Sequence, residues 1–123
     1  MNSTHAHPVD AAAVTRAQAS GLSREDADRL SDLLGLLADP VRLRILFSLL
    51  AADELCVGDL ALAVGVSMDQ SSYALKLLRA DGVVRSRRAG RVIYYRLADD
   101  FPQELLDHCL RQLLTIASKE GRS

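Results

Sequence analysis

The stretch from Cys56 to Leu97, CVGDLALAVGVSMDQSSYALKLLRADGVVRSRRAGRVIYYRL, decides the fold. Its apolar spacing predicts a short helix that stops at Gly65 and a second helix capped by the hydroxyl of Ser67. Gly82 is expected to end the second helix, because glycine tolerates the open backbone found at such ends. Strand formers then flank an arginine-rich segment, 85–91, which is expected to be the tip of a hairpin. The pattern predicts a winged helix-turn-helix, a mainly α fold with a two-stranded β-hairpin.

The second helix and the hairpin together suit double-stranded DNA. A helix of this kind fits the major groove with its N-terminal half toward the base edges, and an arginine-rich hairpin can contact phosphates. The alternative is a solvated hairpin on an ordinary domain. It is disfavoured because the segment from Lys76 to Arg96 contains seven cations and only one acid, Asp81. The base-edge candidates are Gln70, Ser71 and Tyr73, and the phosphate candidates are Ser67, Lys76, Arg79, Arg88 and Arg91.

Composition places limits on the class of protein. The 123 residues fit one domain, and 15 basic against 16 acidic residues give a net charge of −1, so any attraction to nucleic acid must be local. The first residues lack a signal-peptide pattern and no apolar run reaches membrane-spanning length, which predicts a cytoplasmic protein that does not enter a membrane. In a reducing compartment Cys56 and Cys109 are expected to be free thiols or metal ligands.

The chain is expected to divide into a flexible N-terminal arm over 1–21, with a helical piece at 11–19, a winged-helix DNA-binding and dimerisation domain over 22–118, and a tail over 119–123. A helix that ends near Leu37 has an apolar stripe that we expect to be buried, and Asp39-Pro40 starts the next helix. A last helix that ends near Ser118 is more apolar than one core contact requires. Paired with the helix that ends near Leu37, it predicts a homodimer whose two recognition helices read a palindromic operator. The expected stripe is Ala27, Leu30, Leu33, Leu34 and Leu37, and the expected core face of the next helix is Val41, Ile45, Leu46, Leu49 and Leu50.

Three runs of sequence together resemble the ArsR/SmtB family of bacterial metal-responsive repressors. They are LADPVRLRIL at 37–46, ELCVGDLA at 54–61 and GRVIYYRL at 90–97, and the resemblance extends over about residues 30–114. It implies a winged-helix homodimer that binds its operator in the absence of metal. Metal binding is then expected to lower the affinity for DNA and to allow transcription.

The resemblance also implies a metal site between the arm of one protomer and the helix before the recognition helix of the other. Cys56 and Asp59 match the family's motif, and the arm offers His5 and His7. This mixture of sulfur, oxygen and nitrogen donors suits tetrahedral Zn(II), and Co(II), Cd(II) and Pb(II) are further candidates. The alternative is that Cys56 is a small buried apolar residue, that Asp59 is solvated and that the histidines belong to a disordered tail.

Two other metal sites are weaker candidates. The family's site between the C-terminal helices retains Asp99, but its other three positions hold non-ligating residues, so we expect that site to be lost. A metal site at His108 and Cys109 that does not match the family's pattern stays open as an alternative. Arsenite sensing is disfavoured because Gly58 stands where the arsenic motif has a second cysteine. The three non-ligating residues are Phe101, Gln112 and Thr115.

Other classes of function stay open to different degrees. One alternative is a repressor that senses thiol oxidation through Cys56, although the sequence offers no obvious resolving partner. Another is a DNA-binding regulator that senses no metal. An enzyme is disfavoured, because the sequence has no nucleophile–base constellation, no glycine-rich phosphate loop and no dense carboxylate site.

Overall fold

The computed structural model describes residues 6–121, which form helices and one small sheet. The chain divides into two units, Met1–Leu34 and Gly35–Ser123. The elements in chain order are α1 (Ala11–Ser20), α2 (Arg24–Leu37), α3 (Pro40–Ala52), β1 (Leu55–Cys56), α4 (Val57–Val64), α5 (Met68–Ala80), β2 (Val84–Ala89), β3 (Val92–Leu97), a π-helical stretch (Leu105–Leu110) and α6 (Arg111–Gly121).

Side-chain caps begin the helices of the first unit. The carboxylate of Asp10 accepts a hydrogen bond from the Ala13 N–H at 3.0 Å, and α1 confirms the helical piece expected within the arm. The Ser23 hydroxyl accepts from the Asp26 N–H at 3.0 Å at the start of α2. The expected buried stripe of α2 is wrong for most of its length, because only Leu37 is buried while Ala27 and Leu33 are half-buried and Leu30 and Leu34 are exposed.

The second unit has an apolar core to which helices α3, α4 and α5 and the sheet contribute. Asp39 caps α3 by accepting from the Arg42 N–H at 3.0 Å, with Pro40 in the first turn, as expected. Of the core face predicted for α3, Val41 and Leu50 are half-buried and the other three residues are buried. The fully buried large side chains are Ile45, Leu46, Leu49, Leu60, Val64, Leu75, Leu78, Val84 and Leu106.

The turn between α4 and α5 confirms the predicted helix-turn-helix. Gly65 ends α4 in the left-handed region with φ of +69°, which glycine adopts without a steric penalty. Ser67 is the N-cap of α5, and Ala74, Leu75 and Leu78 are the buried apolar residues of that helix. The recognition helix is therefore held against the core by one face only.

The sheet has three antiparallel strands in the order β1-β3-β2, so the predicted hairpin gains a short third strand. Cys56 pairs with Tyr94 across β1 and β3, and Arg87 pairs with Tyr94 across β2 and β3. The tip is the two-residue turn Gly90-Arg91, so the expected tip over 85–91 is too wide. Most of its arginines lie along β2, in ladder positions rather than in the turn.

The C-terminal helical segment presents apolar residues to solvent. Leu106 is buried against the second unit's core, but Leu113, Leu114 and Ile116 are between 56% and 59% exposed. Among the helices between residues 6 and 121, none combines the length and the apolar character that crossing a lipid bilayer requires.

Candidate nucleic-acid interface and effector site

The start of the recognition helix α5 is fixed by a reciprocal pair of hydrogen bonds. The Ser67 hydroxyl accepts from the Gln70 N–H at 3.1 Å, and the Gln70 Oε1 accepts from the Ser67 N–H at 3.1 Å. Such a capping box satisfies two backbone donors that a helix end otherwise leaves unpaired. The side chain of Gln70 therefore holds its own helix, and only its amide Nε2 is left to reach a base edge.

Ser71 lies in the core and not on the outer face of α5. Its side chain is fully buried, and its hydroxyl donates to the Val57 carbonyl oxygen at 3.3 Å. The prediction that Ser71 contacts a base edge is wrong, because a side chain without solvent access cannot reach a groove. Helical spacing contained the signal that was missed, since Ser71 stands three, four and seven residues before Ala74, Leu75 and Leu78.

The outer face of α5 is polar and exposed. Tyr73 is 63% exposed, and Lys76 and Arg79 are also exposed. Ser72, for which the sequence predicted no role, is exposed next to Tyr73. Unlike Ser71, it is accessible to a ligand. Three-residue spacing puts Tyr73, Lys76 and Arg79 along one face of α5, with Ser72 beside them.

The arginines of the wing fall into two groups. Arg85, Arg88 and Arg91 are exposed, and none of them has an ion-pair partner within residues 6–121. Arg87 and Arg96 are paired, with the Arg87 Nη2 at 2.6 Å from Glu54 and the Arg96 Nη1 at 2.6 Å from Asp99. The guanidinium donors of the first group are available to an external anion, whereas those of the second group bond to carboxylates of the protein.

These ion pairs alter the protonation of their carboxylates. The hydrogen bond from Arg87 holds the pKa of the Glu54 carboxyl below its ordinary value of 4.5. The hydrogen bond from Arg96 likewise holds the pKa of Asp99 below its ordinary 3.8. Both acids therefore stay ionised and paired at neutral pH.

The candidate metal ligands of the second unit stand at the start of α4. Cys56 is half-buried and is the N-cap residue, without a side-chain hydrogen bond to the helix, and Asp59 is exposed in the first turn. Cys56 is thus the last residue of β1 and lies just before the helix rather than within it. An N-cap residue and the third helical residue still face each other, as in a capping box, so the two donors share one helix end.

The remaining candidate ligands belong to the first unit or lie outside the described residues. His7 is exposed ahead of α1, and His5 lies outside the residues that the structure describes. Between residues 6 and 121 there is no group of three or more His, Cys, Asp and Glu side chains that could hold a metal ion. A complete site formed within the described part of one chain is therefore absent.

The C-terminal candidates show no assembled site either. The carboxylate of Asp99 is bound to Arg96, and Phe101 is buried where the family's site has a ligand. Gln112 and Thr115 are exposed and non-ligating. His108 and Cys109 are adjacent in the chain, and both are exposed. Within the described residues, no third donor lies with them in a group that could hold a metal ion.

Comparison with known proteins places this arrangement among bacterial regulators. Residues 39–86 match the family model described as bacterial regulatory protein, arsR family. The chain is 41% identical over 99 residues to the transcriptional repressor SmtB homolog of Synechocystis sp., which covers 77% of this chain and 74% of that protein. It is 38% identical over 82 residues to the cadmium resistance transcriptional regulatory protein CadC of Listeria innocua, which covers 67% of this chain and 68% of that protein.

A solved structure is also similar. The crystal structure of the AntR antimony-specific transcriptional repressor has a TM-score of 0.68 and 29% sequence identity, and the match covers 85% of this chain and 90% of that chain. All three similar proteins are named as regulators or repressors of transcription.

Proposed function

Because this chain belongs to the ArsR family of bacterial regulatory proteins, we propose that it is a metal-responsive repressor that binds a palindromic operator as a homodimer. Its role as a DNA-binding transcriptional repressor, and not an enzyme, follows from the family. The palindromic operator, the homodimer and the response to metal go beyond the family assignment and are our proposal.

The observation that supports the DNA interface is a set of exposed polar groups on α5 and the wing, whose cations make no ion pair in the described part of the chain. We assign Tyr73, the amide of Gln70 and, in place of the buried Ser71, the exposed Ser72 to base edges. Lys76, Arg79 and the hydroxyl side of Ser67 lie along the same helix, and Arg88 and Arg91 extend the cationic surface onto the wing. We assign the cations to phosphates, because cations that lack an internal partner contribute the electrostatic part of binding.

The exposed apolar residues of α6 support a homodimer. Leu113, Leu114 and Ile116 are each more than half exposed, and Leu30 and Leu34 of α2 are exposed as well. Several exposed apolar residues on one helix of a small protein mark an association site, so we propose α6 as part of the dimer interface. A two-fold dimer would present two copies of α5, which is why we propose a palindromic operator.

We place the metal site between Cys56 and Asp59 of one subunit and the arm of the partner subunit, with His5 and His7. The unused thiol of the N-cap and the exposed carboxylate in the first turn of α4 support this donor set. Thiolate, imidazole and carboxylate suit tetrahedral Zn(II) first, and Co(II), Cd(II) or Pb(II) next. The absence of a third donor beside them within residues 6–121 fits a site that a second subunit completes.

In this proposal, metal binding releases the protein from DNA because α4 and α5 are linked by a hydrogen bond. A metal bound at the start of α4 fixes that helix end, and the hydrogen bond from Ser71 to Val57 joins the same helix end to the recognition helix. A change in the separation of the two copies of α5 then mismatches successive major grooves. Coupling between two such sites is typically about 1–3 kcal/mol.

The test begins with selection of bound duplexes from a random library, followed by fluorescence anisotropy on the best sequence. We expect a two-fold symmetric consensus and a complex of two chains per duplex. A selection that enriches no sequence, or that enriches an asymmetric half-site bound by one chain, would contradict the proposal.

Metal response is tested on the same duplex with EDTA, Zn(II), Co(II), Ni(II), Cd(II) and Pb(II). We expect Zn(II) to weaken DNA binding by about thirtyfold, the middle of the usual range for coupled sites. Cys56→Ser should abolish the response, and Cys109→Ser, which changes the other free thiol, should leave it intact. A response that survives in Cys56→Ser would move the sensor elsewhere, and release by peroxide with no effect of Zn(II) would favour oxidation of Cys56.

A further inference from the structure

Glu54 and Arg87 form a two-point ion pair across 33 residues of sequence. The Arg87 Nε donates to Oε2 at 2.7 Å and its Nη2 donates to Oε1 at 2.6 Å. The side chain of Glu54 is only 27% exposed. A guanidinium that meets a carboxylate through two parallel bonds is held in direction as well as in position.

Tyr94 completes this arrangement. The Arg87 guanidinium lies 4.7 Å from the centre of the Tyr94 ring, which is a cation–π contact. Tyr94 is the residue opposite Arg87 in the β2–β3 ladder and opposite Cys56 in the β1–β3 ladder. Arg87 therefore reaches from β2 across β3 to Glu54, which stands two residues before Cys56, and spans the whole width of the sheet.

The base of the wing is fixed by the core through the buried Val84 and Leu97, so this span matters for the part of the hairpin beyond that base. A two-stranded hairpin alone is marginally stable in water, and the third strand here, β1, is only two residues long. The ion pair adds a side-chain link between the wing and the segment that leads into α4. Meanwhile Arg88, one residue further along β2, is exposed without such a partner in the described part of the chain.

We propose that Glu54, Arg87 and Tyr94 are positioning residues that hold the wing at a fixed angle to the helix-turn-helix, and that Arg87 does not contact a DNA phosphate. The proposal rests on the proposed binding of operator DNA for its functional consequence. The part of the proposal that concerns the fixed angle of the wing can be measured on the free protein, without DNA.

The test compares Glu54→Gln, Arg87→Gln and Arg87→Lys with Arg88→Gln as the matched control. DNA affinity is measured against KCl concentration. Loss of a phosphate contact lowers the slope of log K against log salt by about 0.9, and we expect this for Arg88→Gln alone. The other three variants should bind about twofold to fivefold more weakly with an unchanged slope, the effect of losing a positioning ion pair.

Two further comparisons separate positioning from contact. Arg87→Lys keeps the charge but cannot make both parallel bonds, so it should fail to restore binding. The double variant Glu54→Gln, Arg87→Gln should bind no more weakly than either single variant, because each change breaks the same pair. A slope lowered by about 0.9 in Arg87→Gln, with normal binding by Arg87→Lys, would overturn the proposal.

Hydrogen exchange in the free protein provides the readout without DNA. In Glu54→Gln the wing amides over 85–95 should exchange about threefold faster or more, while the core amides of Ile45 and Leu49 keep their protection. Unchanged exchange in the wing would refute the positioning role. If the wild-type chain selected no duplex, the proposed function would fail, and the exchange result alone would still decide whether the pair holds the wing.

Discussion

The buried hydroxyl of Ser71 in α5 donates to the carbonyl oxygen of Val57, the first residue of α4, at 3.3 Å. This bond joins the recognition helix to the helix end that carries the candidate ligands Cys56 and Asp59. Ser71, which the sequence predicted to contact a base edge, is thus a link inside the helix-turn-helix, so its replacement should lower the free energy of unfolding.

Replacing Ser71 by alanine should lower the free energy of unfolding by about 1 kcal/mol, because a buried hydrogen bond is lost and the Val57 carbonyl keeps no partner on α5. Ser72→Ala, one residue away but exposed, should change it by less than about 0.5 kcal/mol. Urea titration of both variants measures the difference. Equal stability of the two variants would contradict the burial of Ser71.

Replacing Arg91 by alanine should weaken binding to the selected operator and to a scrambled duplex by the same factor. The slope of log K against log salt should fall by about 0.9, because one phosphate contact is lost. Arg16→Ala, which removes an exposed cation from α1, serves as the control and should leave the slope unchanged. Loss of sequence preference at a constant slope would instead assign Arg91 to a base.

The Glu54–Arg87 pair predicts a specific dependence of stability on pH. The pKa of Glu54 in the folded chain lies below its ordinary 4.5, so the pair's contribution to the free energy of unfolding is complete above pH 4.5. It is lost as the pH falls from 4.5 through the folded pKa. The stability difference between wild type and Glu54→Gln should therefore shrink as the pH falls from 6 to 3.

The same pH series in an Arg87→Gln background is the control. There the carboxylate has lost the hydrogen bond that contributes most to lowering its pKa, and only the charge of Arg96 still lowers it, so the pH-dependent difference should be much smaller. A difference of undiminished size in this background would mean that Arg87 is not the main cause of the lowered pKa of Glu54.

Leu113→Glu should weaken self-association by about tenfold or more, because it places a charge on the apolar face of α6 proposed as the dimer interface. Its fold should survive, since Leu113 is already 57% exposed. Leu62→Glu is the matched control, with an exposed leucine on α4 outside that face. Sedimentation equilibrium distinguishes the variants, and equal dissociation of both would argue against an interface on α6.

Local signals predicted much of this fold because caps and helical spacing act over a few residues. The cap of α3 at Asp39, the cap of α5 at Ser67 and the glycine that ends α4 all appear where the sequence placed them. The two strands of the wing were also predicted, although their turn is tighter. Each of these features depends on side chains and backbone groups that are neighbours in the chain.

Features that depend on distant partners were missed. Strand β1 has two residues and exists only because β3, some forty residues later, pairs with it. The apolar stripe of α2 was identified, but spacing shows which residues share a face and not what covers them, so Leu30 and Leu34 were wrongly expected to be buried. The assignment of Ser71 failed for another reason, because polarity was given more weight than position on the helix.

The common row of Cys56, Tyr94 and Arg87 in the sheet has a consequence for how such a repressor could be redesigned. In the proposed effector site the thiol of Cys56 belongs to that row. Exchanging the arm is then expected to change what the protein responds to, while the Ser71–Val57 link to the recognition helix is kept.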